Sequence, residues 1–271
     1  MHAFLMNGAG NAFLVLDVRA HADFGGLGEG PARQLAQAYA FDQLLIIENS
    51  DTGDAFMRVL NADGSQSGAC GNGARCVAWL IMRETGATAL TLDSAGGRLP
   101  ATATGEMRVC VDLGLARTDW RDIPLSRNLD TKALPISVDT GKGFLENPGA
   151  VSMGNPHCVF IVEDAETIPA RAIGHRVEHD PLFPERANIG FAQVIDETNI
   201  RLRVWERGAG LTKACGTGAA AALVTTARKG LTGRKATIIA DGGKLLAEWR
   251  DDDHVTVEGP VELTGEIEVT L

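Results

Sequence analysis

Ala69-Cys70-Gly71-Asn72-Gly73-Ala74 and Ala214-Cys215-Gly216-Thr217-Gly218-Ala219 are one hexapeptide written twice, with a single residue changed. The copies start at positions 69 and 214, an offset of 145 residues. At that offset Arg58-Val59-Leu60-Asn61 falls on Arg203-Val204-Trp205-Glu206, and Gln43 falls on Asn188. One residue away, at 144, Gly10-Asn11 meets Gly154-Asn155. Asn11, Gln43, Asn61 and Cys70 therefore recur in order as Asn155, Asn188, Glu206 and Cys215. Internal self-similarity of this kind points to a duplicated half.

Both hexapeptides open a helical pattern. GNGARCVAWLIMRE (71–84) stops near Gly86, and GTGAAAALVTTARK (216–229) stops near Gly230. Each is apolar on most faces, as a helix enclosed by strands would be. Around them lie short β-branched or alternating runs between turn residues: FLVLDV, QLLIIEN, FMRVLNA, RVCVDLG, VFIVEDA, FAQVID, RLRVWER, ATIIAD and HVTVEG. The expected fold class is α/β of the α+β type. Two pseudo-symmetric lobes are expected, each a curved, barrel-like sheet around a central helix, with a boundary near Gly114–Trp120.

The position of the cysteines carries the chemistry. The first N–H groups of a helix lack intrahelical partners, and the helix dipole favours negative charge there. A cysteine at such a place is expected to ionise more readily, and the same N–H groups can hold a carboxylate. If the halves face one another, a substrate α-carbon lies between two sulfurs. One thiolate takes the α-proton and the opposite thiol returns one to the other face, which is racemisation or epimerisation. Two thiolates so close would repel, so one charged and one protonated partner are expected. Glu206, in VWERGAG, and His157, in MGNPHCVF, are candidates for setting thiol protonation. Arg207 is a candidate clamp for a carboxylate. Cys76, Cys110 and Cys158 lack this setting and read as packing.

Composition narrows the alternatives. The chain has 271 residues, 45% hydrophobic and 22% charged, enough for two ordinary cores. A net charge of −10 argues against nucleic acid, which needs clustered basic residues. No run suits a membrane, and the first residues lack a basic leader, so no signal peptide is read. Five cysteines without CxxC spacing suggest reduced thiols, a cytoplasmic setting and no metal site. His175-Arg176-Val177-Glu178-His179 has the spacing of a zinc-protease motif, but HDPLFPER follows as a loop, so the histidines read as exposed surface groups. GAGNAF and GAGLTK lack the third glycine of a dinucleotide fingerprint. A pyridoxal enzyme stays open on sequence, although no lysine stands in a suggestive context.

These stretches, with Phe41-Asp42-Gln43-Leu44-Leu45, Asn61-Ala62-Asp63-Gly64-Ser65, Gly154-Asn155-Pro156-His157, Phe183-Pro184-Glu185-Arg186-Ala187-Asn188 and Glu206-Arg207-Gly208-Ala209-Gly210, resemble diaminopimelate epimerases over nearly the whole chain. The resemblance implies an isomerase that needs no pyridoxal or other cofactor and interconverts LL- and meso-diaminopimelate. Cys70 and Cys215 would be the acid–base pair, assisted by His157 and Glu206. Asn11, Gln43, Asn61, Asn155, Asn188, Glu206 and Arg207 would hold the small-molecule substrate, with Gly71, Asn72, Gly216 and Thr217 as helix-start cradles. The family also implies a homodimer and a C-terminal strand returning to the first lobe. The lobes would then be 1–116 plus 262–271 and 117–261, with the active site in the cleft between them. The chain departs from the family pattern at Ala12, Leu211, Lys213 and Asp241. Rival readings are a proline or hydroxyproline racemase-like enzyme on the same cysteine pair, and a non-catalytic amino-acid-binding or thiol redox protein.

Overall fold

The computed structural model describes residues 1–21, 24, 26–68 and 70–270; Ala69 of the first hexapeptide and the terminal Leu271 lie outside them. The chain divides into two compact units, Met1–Asp112 with Glu258–Leu271, and Leu113–Val257.

The first unit contains β1 (His2–Gly8), β2 (Asn11–Asp17), α1 (Glu29–Tyr39), β3 (Gln43–Glu48), β4 (Ala55–Asn61), β5 (Gln66–Ser67), α2 (Gly71–Thr85), β6 (Ala89–Ser94), β7 (Gly97–Gly105) and most of β8 (Arg108–Leu115). The second contains β9 (Ser137–Asp139), β10 (Phe144–Glu146), β11 (Gly149–Ser152), β12 (Pro156–Ile161), α3 (Ala170–Glu178), β13 (Asn188–Asp196), β14 (Asn199–Glu206), β15 (Gly210–Thr212), α4 (Gly216–Arg228), β16 (Lys235–Ala240) and β17 (Gly243–Trp249). β18 (His254–Pro260) crosses the division, and β19 (Glu262–Glu268) pairs antiparallel with β1 inside the first unit.

The repeat extends to strand register. In the first unit β1 and β2 are antiparallel, β2 and β3 parallel, β3 and β4 antiparallel, and β4 and β6 parallel. The second unit repeats this with β11, β12, β13, β14 and β16. Leu44 opposite Leu60 becomes Ile189 opposite Trp205, and Val59 opposite Ser67 becomes Val204 opposite Thr212. The turn before each second strand needs a left-handed residue, supplied by Gly10 (φ 89°) and Gly154 (φ 84°).

Each half encloses its helix. From Gly71 to Met82 the only residue of α2 that is not buried is Trp79. α4 buries Ala219, Ala220, Ala221, Ala222, Leu223 and Val224. Four consecutive alanines combine high helix propensity with small volume, so strands can approach the helix closely. Each large buried side chain adds about 2 kcal/mol of hydrophobic stabilisation. α2 ends on Gly86 in the left-handed conformation, whose N–H donates to Met82 O.

Two helices lie outside the expected pattern, α1 and α3. The His175–His179 stretch belongs to a helix as far as Glu178, with His179 as its C-cap. The histidines are exposed as expected, and among the described residues no group of side chains could hold a metal ion.

Candidate active site

Both cysteines are N-caps. Cys70 precedes α2 and Cys215 precedes α4, each in extended conformation, with φ, ψ of −143°, 102° and −132°, 116°. Each sulfur accepts the N–H three residues on: Gly73 N to Cys70 Sγ at 3.2 Å, and Gly218 N to Cys215 Sγ at 3.3 Å. Both donors are glycines where a side chain would be crowded. A Cβ on Gly73 would lie 2.9 Å from a Leu45 methyl and 3.3 Å from Cys70 Sγ. On Gly218 it would lie 3.0 Å from a Val204 methyl and 3.3 Å from Cys215 Sγ.

In the first unit the polar side chains form two hydrogen-bonded sets. Asn72 Nδ2 donates to Asn11 Oδ1 at 2.6 Å, and the buried Arg75 donates through Nη2 to Asn72 Oδ1 at 2.8 Å. Asp42 accepts the Ala12 N–H at 2.9 Å, which ties down the strand start beside Asn11. Gln43 and Asn61 sit opposite one another on β3 and β4, and Gln43 Nε2 donates to Asn61 Oδ1 at 3.0 Å. Asn61 Nδ2 donates in turn to Ser65 Oγ at 3.0 Å.

In the second unit the polar groups form a connected network. Thr217 Oγ1 lies 3.5 Å from Cys215 Sγ and accepts from Asn155 Nδ2 at 3.4 Å. Asn155 Oδ1 lies 3.0 Å from His157 Nε2. Asn188 is cross-strand from His157, donates to Pro156 O at 3.1 Å and accepts the Arg207 N–H at 2.9 Å. Arg207 Nη1 donates to Glu185 O at 2.7 Å. Glu206 ends β14, accepts from Thr212 Oγ1 at 2.6 Å and accepts from the Cys215 thiol.

The electrostatics correct one expectation. A helix start alone would lower the thiol pKa, yet burial, reinforced by the Glu206 carboxylate, pushes Cys215 well above its ordinary value. Desolvation opposes the charged form more strongly than Gly218 and Thr217 support it. Burial likewise pushes Glu206 up, against its hydrogen bonds from Thr212 and Cys215. His157 is 1% exposed, and burial, aided by the Arg207 charge, pushes it down to about 3. It is therefore a neutral hydrogen-bonding group near pH 7. Cys76 and Cys158 are wholly buried and Cys110 half-buried; burial pushes the Cys76 thiol up to about 12 and Cys158 up as well.

The structure thus groups Asn11 with Asn72 beside the Cys70 helix start, and pairs Gln43 with Asn61. It groups Asn155, His157, Glu206 and Thr217 around Cys215, with Asn188 and Arg207 joined to that group through β12 and β13. Sequence reasoning did not single out Thr212, Arg75 or Asp42 as partners. The repeat held a signal for Thr212, since it occupies the register of Ser67.

A diaminopimelate epimerase family model matches residues 3–118 and 149–264, each stretch carrying one capped helix. The diaminopimelate epimerase of Acidiphilium cryptum (strain JF-5) is 51% identical over 271 residues, covering 98% of this chain and 96% of that protein. That of Phenylobacterium zucineum (strain HLK1) is 49% identical over 270 residues, covering 97% and 96%. Among solved structures, a predicted epimerase from Pseudomonas aeruginosa superposes with a TM-score of 0.70 at 17% identity, covering 100% of this chain and 99% of that one. A probable proline racemase from Agrobacterium radiobacter K84 also gives 0.70, at 14% identity and 100% and 93% coverage. At such identities these two structures share the fold. With the family model and the near-half identity over full length, the chain belongs to the diaminopimelate epimerase family.

Proposed function

We propose that this protein is a cofactor-independent epimerase interconverting LL- and meso-2,6-diaminopimelate, in lysine and peptidoglycan precursor biosynthesis in the cytoplasm. The observation that carries the reading is the pair of cysteine caps, each holding a glycine N–H on sulfur at equivalent places in the two units.

The substrate lies in a cleft between lobes 1–116 plus 262–271 and 117–261, its α-carboxylate on the first N–H groups of α2 and α4. In one direction Cys70 is the base. Its thiolate takes the α-proton, and the electron pair left on carbon spreads into the carboxylate, where the helix-start N–H groups offset the growing charge. The Cys215 thiol then gives its proton to the opposite face of the carbon. In the other direction Cys215 is the base, its own proton having passed to the Glu206 carboxylate, and Cys70, protonated in that enzyme form, gives its thiol proton to the opposite face of the carbon. The high thiol pKa at Cys215 fits the role of resting proton donor. His157 orients Asn155 and with it the Thr217 cradle.

Asn11, Gln43, Asn61, Asn155, Asn188 and Arg207 hold the substrate, with Gly71, Asn72, Gly216 and Thr217 at the helix starts. A second amino-acid head needs several amide groups and a positive charge, and analogues lacking it leave those groups unpaired. The family further supports a homodimer. No nucleic-acid or membrane partner is proposed, and among the described residues no helix is long and apolar enough to cross a membrane.

Reduced protein incubated with LL-diaminopimelate in D2O should place deuterium at an α-carbon, read by NMR, as the meso isomer forms. Exchange into proline with none into diaminopimelate would overturn the reading in favour of a proline racemase-like activity. Binding of diaminopimelate without exchange would point to a non-catalytic binder.

A further inference from the structure

One buried carboxylate is not used by the proton-transfer chemistry. Glu178 ends α3 and is 3% exposed. Its Oε2 accepts the Trp205 indole N–H at 2.7 Å, and its Oε1 accepts the Gly208 backbone N–H at 3.2 Å. Arg186 Nη1 stands 3.7 Å from Oε1. Trp205 immediately precedes Glu206, and Gly208 immediately follows Arg207. A single side chain thus holds both ends of the dipeptide that carries an acid–base partner and the cationic fork.

The helix is seated for this task. A Cβ on Gly174, one turn before Glu178, would lie 2.5 Å from Trp205 Cβ, so α3 rests directly on the tryptophan. His175 meets the same ring edge-on at 6.2 Å between centroids. Gly208 has φ of 76°, so the chain turns sharply just where the second bond is made. A buried carboxylate is costly without partners, and here its donors come from both sides of one turn.

We propose that Glu178 is a positioning residue for substrate binding, clamping the Trp205–Gly208 turn so that Arg207 presents its guanidinium to the distal head of the substrate. The inference rests on the reading that Arg207 binds that head. Asn188 and Glu185 hold Arg207 from the other side, through its N–H and its Nη1. Glu178 fixes the turn from which the side chain springs.

Glu178→Gln keeps the volume but faces one of the two donors with an NH2 group. It should raise KM for diaminopimelate about tenfold, as expected for a lost hydrogen bond to a charged acceptor, with kcat changed less than threefold. A merely structural role would lower the active fraction, and so apparent kcat, while leaving KM alone. Trp205→Phe keeps the ring seated on Gly174 and removes only the indole N–H; KM should rise in the same direction, about threefold. Arg207→Lys is the control for the underlying reading. An unchanged KM in Glu178→Gln beside a raised KM in Arg207→Lys would overturn the clamp and leave the reading standing. An unchanged KM in Arg207→Lys would overturn the reading and the clamp with it. Should Glu178→Gln fail to fold, Trp205→Phe decides, and an unchanged KM there overturns the proposal.

Discussion

Alanine at Gly73 or Gly218 tests whether the sulfur cap is the working part of each half. At Gly73 the added methyl meets Leu45 methyls at 2.9 and 3.0 Å, and Leu45 is itself wholly buried, so either that side chain or the helix start must shift. Overpacking of this kind costs about 1–3 kcal/mol, which for a chain of this size lowers Tm by about 2–4 °C per kcal/mol. The same methyl sits 3.3 Å from Cys70 Sγ and displaces a sulfur now held at 3.2 Å from the Gly73 N–H. Losing a hydrogen bond to the thiolate that each sulfur becomes in the proposed chemistry costs about 1.5–3 kcal/mol, or roughly tenfold to a hundredfold in kcat. Gly218→Ala should behave alike, through Val204 at 3.0 Å and Cys215 Sγ at 3.3 Å. Gly30→Ala is the control: the position is exposed at the start of α1, with nothing beyond its chain neighbours within 4 Å of the new methyl, so activity should be unchanged and, with Pro31 following, stability should move by no more than about 1 kcal/mol. Melting followed by circular dichroism and α-deuterium exchange followed by NMR read the two effects separately. If Gly73→Ala and Gly218→Ala both keep kcat within twofold of the parent, the capped sulfurs are not the reacting groups.

Three further outcomes are expected. Cys70→Ala and Cys215→Ala should each abolish epimerisation with unchanged circular dichroism, and full activity in either would remove the two-base scheme. His157 is held down to about 3 in the folded chain against 6.5 unfolded, so below pH 6.5 the unfolded state binds a proton that the folded state does not. Its contribution is therefore complete above pH 6.5 and falls by about 1.4 kcal/mol per pH unit as the pH drops toward 3. Urea titrations at pH 6.5 and 4.5 should show that slope in the parent and its loss in His157→Phe, the residue found at the matching Phe13 register; equal slopes would contradict it. Asp241 bonds to Arg201 and faces Arg203 Nε at 3.6 Å, so Asp241→Asn should lower Tm by a few degrees, from about 1 kcal/mol, without altering kcat or KM. A kinetic change there would give Asp241 a role in the Cys215 loop.

The parts of this molecule that repeat were legible in its sequence, because a duplicated hexapeptide and a shared offset place helices, strands and polar positions together. α2 and α4 follow from their glycine openings and apolar faces. α3 did not, because its buried stripe is Ala170, Ile173, Gly174, Val177 and Glu178. A glycine and a carboxylate interrupt the apolar period just where the helix packs. α1 follows Gly28, an N-cap with no side chain to bond the helix start, and buries only Ala32 and Leu35, so it too lacks a start signal. The polar set around each cysteine was readable as residue types at fixed spacing. Its proton affinities were not, since a helix start favours the Cys215 thiolate while burial, visible only in three dimensions, opposes it more strongly.

The two halves share their capping geometry but differ in one respect that bears on proton transfer: Asn61 in the first is matched by Glu206 in the second. An amide cannot take up a proton near neutral pH, whereas a buried carboxylate can. The equilibrium ratio of the two isomers belongs to the substrate and is untouched by this difference. Under the proposed two-base chemistry, that single carboxylate would set the ledger of enzyme forms between turnovers, favouring a proton on the Cys215 side. On that reading the isomer whose α-hydrogen faces Cys70 would meet an enzyme already in working order. The other would wait for the proton to change sides, and at high flux that internal return would become the slow step.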